Sequence, residues 1–147
     1  MATNPAVAQG TLNRVRCSVV LPDFPNLSIT SPYMGKNFAT IAFEGDFVAQ
    51  EATGTGVVNS PEPYVIATIT VDLLRTQALA ANWLSQSQAT AVLGDCDIHS
   101  DTRAFPAIKL HDTSVQKLDP GAYDGMNPVS RLTLRGVYYI NNDLWNL

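Results

Sequence analysis

At 147 residues the chain has the length of one domain, and a hydrophobic content of 46% is enough to build its core. Charged residues make up only 15%, against a usual share of about 25%. Nine lysines and arginines and a net charge of −4 argue against tight nucleic-acid binding, which needs cations to neutralise phosphates. A small, weakly charged domain instead favours a surface partly hidden in neighbours.

The opening MATNPAVAQG lacks the charged and apolar regions of a secretory leader, and no apolar run approaches the roughly 20 residues of a membrane helix. A soluble protein made in a cytoplasm, with no membrane contact, is the expectation. Residues 1–13 are small, polar and punctuated by Gly and Pro, as in an extended arm. The first strand follows, with Val15, Cys17, Val19 and Leu21 alternating with polar residues. Cys17 and Cys96 both lie in alternating apolar segments and are expected as reduced, buried thiols. Pro22 and Pro25 break regular pairing; a short strand is expected at Leu27 to Thr30 and a turn at SPYMGKN.

Ala39 to Ala49 carries the next strand signal, with Glu44-Gly45-Asp46 as a tight turn or a bulge. Gln50 to Pro63 (QEATGTGVVNSPEP) reads as a long loop, and loops of that length inside a domain are usually functional or interface-forming. Val65, Ala67, Ile69, Val71 and Leu73 then form one face of a strand. That strand runs directly into a helix whose Leu79, Ala80, Trp83 and Leu84 make one apolar stripe, with Thr76 as its cap. Trp83 is expected in the core. Further strands are predicted at Cys96 to Ile98, from Ile108 towards Leu118, and over Val129 to Ile140, with a turn at Asp119-Pro120-Gly121-Ala122. The segment 141–147 is a tail with an apolar end. There is no internal repeat, and one domain spans 1–147.

Candidate chemistry is thin. Asp95, Asp97, His99 and Asp101 form the densest polar cluster, but DCDIHSD fits neither a calcium loop nor a common zinc spacing. A solvated or channel-facing strand face is the better reading. His111-Asp112 has no G-x-S-x-G nucleophile elbow with it, and GTGVV at Gly54 to Val58 has no lysine of a phosphate loop. No enzyme activity, cofactor or metal is expected. Trp145 has no local core to join, so it either folds back on its own domain or anchors in a neighbour.

The order of segments resembles the bacteriophage tail tube proteins: an N-terminal arm, a long mid-chain loop, the strand and helix of TVDLLRTQALAANWL, and a closing SRLTLRGVYYI strand. The resemblance runs from about Arg14 to Ile140, and TVDLLRTQALAANWL carries most of it. It implies a mainly β fold, a β-sandwich or half-barrel, with one flanking α-helix. It also implies self-assembly into stacked hexameric rings whose inner sheets join into a continuous β-barrel. DNA would pass through the lumen without specific binding, in a virion tail assembled in the host cytoplasm, with a sheath or other tail proteins as further partners. An acidic wall would let DNA slide, since duplex DNA carries one negative charge per about 1.7 Å; Glu44, Asp46, Asp95 and Asp97 are the candidate lumen residues. Glu51, Gly54, Gly56, Glu62 and Trp145 are the candidate inter-subunit residues. An initiator or terminator at one end of such a tube, and a free-standing β-sandwich binding module, are the alternatives.

Overall fold

The structure, a computed structural model, describes residues 16–102 and 105–145. The expected arm at 1–13, Val15 and the last two residues of the tail lie outside the described residues. In chain order the strands are β1 (Cys17–Val20), β2 (Met34–Glu44), β3 (Val48–Ala52), β4 (Val57–Pro61), β5 (Tyr64–Leu74), β6 (Val92–Ser100), β7 (Ile108–Asp119) and β8 (Val129–Tyr139). A helix α1 (Ala78–Ala89) links β5 to β6, and a single helical turn α2 (Asn142–Trp145) follows β8.

Six strands form one antiparallel sheet in the order β1-β6-β7-β8-β5-β2, and β3 and β4 form a separate hairpin. The fold is mainly β with one main helix, as the segment pattern implies. Within it β5 and β8 pair along their whole lengths, from Tyr64 opposite Tyr139 to Leu74 opposite Val129. Strict alternation on these strands sends Val65, Ala67, Ile69 and Val71 inward from β5 and Leu132 and Leu134 from β8, all buried. Gly136 is the inward position where β7 approaches most closely: an added Cβ would stand 2.9 Å from Leu110 Cβ and from Thr113 Oγ1.

The sheet curls until its two edge strands nearly meet, giving a barrel-like shape. Cys17 Sγ of β1 lies 3.5 Å from Met34 Sδ of β2, and Ser31 Oγ donates to the Cys17 carbonyl at 3.1 Å. Curling covers the inner face, and α1 completes the core by packing on β5 and on a 3₁₀ turn at Pro25–Leu27. Trp83 is fully buried there, with Leu79 beside it.

Several segments depart from expectation. Gln50 to Pro63 is not an open loop: β3 and β4 pair in register across it, Val48 opposite Pro61 and Ala52 opposite Val57. The valines and alternating polar residues there satisfy each other's backbone, which a run rich in Gly, Thr and Pro conceals. Leu27 to Thr30 contributes one bridge, Ile29 to Val19, and β2 starts at Met34, inside the segment read as a turn. Its pairing with β5 slips between Met34 and Ala39, where Phe38 takes a φ of +52°. Gly45, at φ +89°, is neither a hairpin turn nor a bulge within a strand; it forms the corner where the chain leaves the six-stranded sheet. Thr76 does not cap α1. Gln77 is the N-cap and makes no side-chain capping bond, because a turn from Leu74 O to Gln77 N–H (3.2 Å) starts the helix later.

Candidate assembly surfaces

The register of β5 and β8 defines two ends of the barrel. Tyr64, Tyr139 and the β3–β4 hairpin lie at one, and Leu74, Val129 and α1 at the other. At the hairpin end Phe43 makes an edge contact with Phe47 (centroids 5.9 Å apart) and stacks at a tilt on Tyr138 (5.0 Å). Tyr139 does the same with His111 (5.0 Å). Phe47, Tyr64 and Trp145 are each about half exposed. Single exposed apolar residues are unremarkable; here several aromatics gather at one end of the barrel, Phe43, Phe47 and Tyr138 in one cluster and Tyr139 with His111 in another.

From this patch the hairpin projects with both of its faces in water, including Val57 at 61% and Val58 at 56% exposure. A two-stranded hairpin is marginal alone, and its outer edges present unpaired backbone groups. Its root is nonetheless firmly tied. Glu62 N–H donates to Phe47 O (3.0 Å), and Asn141 Nδ2 donates to both Phe47 O (3.0 Å) and Glu62 O (2.8 Å). Asn141 holds a φ of +53° to do so. Trp145 Nε1 donates to Pro61 O (3.1 Å), so α2 braces the hairpin from outside.

The five candidate contact residues therefore fall into two groups. Glu62 and Trp145 both lie at the hairpin's root, whereas Glu51, Gly54 and Gly56 lie along its arm and at its tip. Gly56 N–H donates to Thr53 Oγ1 (3.0 Å), closing the tip. Added Cβ atoms at Gly54 and Gly56 would meet nothing within the molecule. The folded chain does not itself demand glycine there.

Of the candidate lumen residues, Glu44, Asp95 and Asp97 share the sheet's outer face, while Asp46 lies at the Gly45 corner. These acids are not bare. Glu44 accepts a bond from Thr68 Oγ1 (2.6 Å) and pairs with Arg135, and these contacts hold its carboxyl below the usual glutamate value. Asp95 lies 3.2 Å from His111 Nδ1, Asp97 stands opposite Lys109 in register, and Asp72 pairs with Arg131 at 3.3 Å. Outward threonines at 68, 70 and 133 fill the rows between. The face is hydroxyl-rich, with its acids beside bases.

His99 is exposed on the same strand, and Asp101 exchanges bonds with the Arg16 backbone. Among the described residues no group of three His, Cys, Asp or Glu side chains is placed to hold a metal ion. Among the described residues, too, no helix is long and apolar enough to cross a membrane. Both cysteines are free; Cys96 is buried and its thiol is pushed up to about 12 by desolvation, while burial also raises Cys17. Sequence spacing points to Trp145 but not to Phe43, Phe47, Tyr64 or Tyr139. Their signal is the concentration of aromatics at strand ends, which acquires meaning only once the register brings those ends together.

No family model matches the chain, and no curated protein matches it. A solved structure does: the cryo-EM structure of the anti-feeding prophage cap, a tube-terminating cap, is 16% identical with a TM-score of 0.50. The match covers 93% of this chain and 97% of that one. At this identity the likeness is one of fold, and it spans both molecules nearly end to end.

Proposed function

We propose that the chain is a structural subunit that self-assembles into a ring and terminates the tube of a phage-tail-like particle. The observation that carries this reading is the fold likeness to a tube-terminating cap over 93% of this chain, with almost nothing of the cap left over. The hairpin supports it physically: an exposed two-stranded arm with apolar side chains on a braced root is what a subunit presents when a neighbour completes it. In this reading the hairpin end, with Glu51, Gly54, Gly56, Glu62 and Trp145, meets other subunits or the tube. The outer sheet face with Glu44, Asp95 and Asp97, and Asp46 at its corner, faces the lumen. Glu44 is paired with Arg135 and Asp95 stands beside His111, which softens the acidic field that passing DNA would meet. The chain acts by assembly, without catalysis.

The tail tube subunit itself is the second reading, favoured by the segment order around TVDLLRTQALAANWL. Negative-stain electron microscopy with light scattering across a concentration series separates the two. A terminator gives single rings that do not lengthen. Tube subunits give hollow tubes wide enough for a duplex. Monomers at every concentration would sink both and favour a free-standing binding module.

A further inference from the structure

The hairpin joins the rest of the molecule only at its root. Its strands β3 and β4 pack chiefly on each other. Gln50 Nε2 donates to Asn59 Oδ1 across them (3.1 Å), and Thr53 N–H donates to Gly56 O (2.7 Å) at the tip. The pairing of the two strands therefore does not depend on the barrel. Two stretches of chain carry the hairpin out and back, and they differ in stiffness. The outgoing chain turns at Gly45, φ +89°, where an added Cβ would meet nothing within 4 Å. The returning chain crosses at Pro61-Glu62-Pro63, where the prolines fix φ at about −65° and favour an extended Glu62. The edge contact of Phe47 with Phe43 adds a third tie.

The segment that follows β8 binds both crossings at once. Ile140 N–H donates to Pro63 O (3.1 Å), which fixes the start of that segment beside the returning chain. Asn141 then takes its left-handed φ of +53°, a conformation asparagine adopts more readily than most residues. Its own carbonyl accepts from the N–H groups of Leu144 (2.9 Å) and Trp145 (3.1 Å), which winds α2. A side-chain amide carries two hydrogens on its nitrogen, and here both meet carbonyls, one on each crossing: Phe47 O going out and Glu62 O coming back. Trp145 Nε1 adds its bond to Pro61 O. Phe47 O already accepts from Glu62 N–H, so the root closes without Asn141. What the amide adds is a fixed relation between the two crossings and the end of β8.

We propose that residues 141–145 form a latch: Asn141, backed by Trp145, fixes the direction in which the β3–β4 hairpin leaves the barrel, and opening the latch frees the paired hairpin to swing about Gly45. Hinges of this kind place the change in a few residues at the end of an element and leave the element itself intact. A hairpin that is either held or released meets a neighbour at more than one angle with the same strands. The device belongs to a single copy, so it does not depend on whether the chain ends a tube or builds one.

The test measures the distance from the hairpin tip to α1 in the full chain, by pulsed electron resonance between spin labels on Gly54→Cys and Gln88→Cys. Gly54 has open space for a side chain, and Gln88 is exposed. Cys17→Ser removes the half-buried thiol, while Cys96 is buried, with its thiol pushed up to about 12, and stays unlabelled. Labelled chains are diluted in an excess of unlabelled protein, so that each measured pair lies within one molecule. The expected result is one narrow distance in this background. It should become a several-fold broader distribution in Asn141→Gly, which permits the same φ without the amide, and in Asn141→Asp, which keeps the shape but offers the two carbonyls only acceptors. Trp145→Phe keeps a ring without the donor and should broaden the distribution less. In all three, hydrogen exchange should find the amides paired between β3 and β4 still protected. An unchanged distribution in both Asn141 variants would overturn the latch, since the two prolines and the Phe43–Phe47 contact would then aim the hairpin unaided. A broad distribution with lost protection would also overturn it, because Asn141 would then hold the hairpin together and not aim it. A broad distribution in the background itself would mean that the latch does not hold.

Discussion

The two ends of the barrel expose apolar side chains in opposite ways. At the hairpin end they are spread over an arm whose backbone pairs only with itself, so the arm gains from any neighbour that adds a strand or covers a face. At the helix end the two most exposed, Tyr123 and Met126, sit on a loop already tied by Arg75 and Asp124, with Leu84 and Val92 also in water. The first is an incomplete element and the second a finished knob. An incomplete element tolerates different partners along its length, whereas a knob needs one matching hole.

The largest effect should come from removing the hairpin. Phe47 and Glu62 are already joined by a backbone bond of 3.0 Å, so a short Gly-Ser link can replace residues 48–61 without disturbing β2 or β5. The shortened chain should remain folded, with a thermal transition close to that of the full chain, yet lose the ability to join tubes or stack. If the ring contact lies at the helix end, single rings should survive. Loss of rings by light scattering would place the lateral contact on the hairpin and erase the distinction drawn here.

Next in size is Trp83→Ala, which empties the core beneath α1. A fully buried tryptophan costs about 3–5 kcal/mol when cut to alanine, read from denaturant unfolding. The helix packs against β5 and the Pro25–Leu27 turn and has no bonded strand partner of its own. Its end should therefore loosen first in hydrogen exchange while the hairpin's root stays protected. Equal loosening at both ends would mean the barrel unfolds as one unit.

The helix end was the more legible in the sequence, and the hairpin end the less. Alternation in Val65 to Leu73 and the stripe of Leu79, Ala80, Trp83 and Leu84 point to the strand and the helix, because burial on one face imposes a period of 2 or 3.6, although only Leu79 and Trp83 of the stripe are buried and Leu84 is exposed. β3 and β4 have no buried face, so no period is imposed and the segment looks like loop. The acids of β6 were visible, but their basic partners at Lys109, His111 and Arg135 come from other strands, and only the register supplies them. Loop 120–128 reads as a turn from Asp-Pro-Gly. That Tyr123 and Met126 stay exposed depends on Arg75, about fifty residues earlier in sequence.

Arg75→Ala should have a smaller but more local effect. Its bonds to Ala122 and Asn127 are exposed, so a loss of about 1 kcal/mol in global stability is expected, at the lower end for a charged donor. Cleavage within 120–128 by a dilute protease should accelerate much more than unfolding does. Unchanged cleavage would mean that Asp124 and Asn127 hold the loop unaided.

The smallest effect concerns the face between the two ends. The hydroxyl of Thr68, and then Arg135, lower the pKa of Glu44 from its model-compound value of 4.5. A carboxylate with a depressed folded value stabilises the native state fully above its unfolded pKa and loses that contribution as pH falls through the folded one. The wild type should therefore exceed Glu44→Gln in melting temperature at neutral pH, and the gap should narrow as the pH is lowered below the ordinary glutamate range. Because the site is exposed, the gap should also shrink with added salt. A gap that ignored both pH and salt would mean that Glu44 holds β2 to β5 by its shape and its bond to Thr68 rather than by its charge.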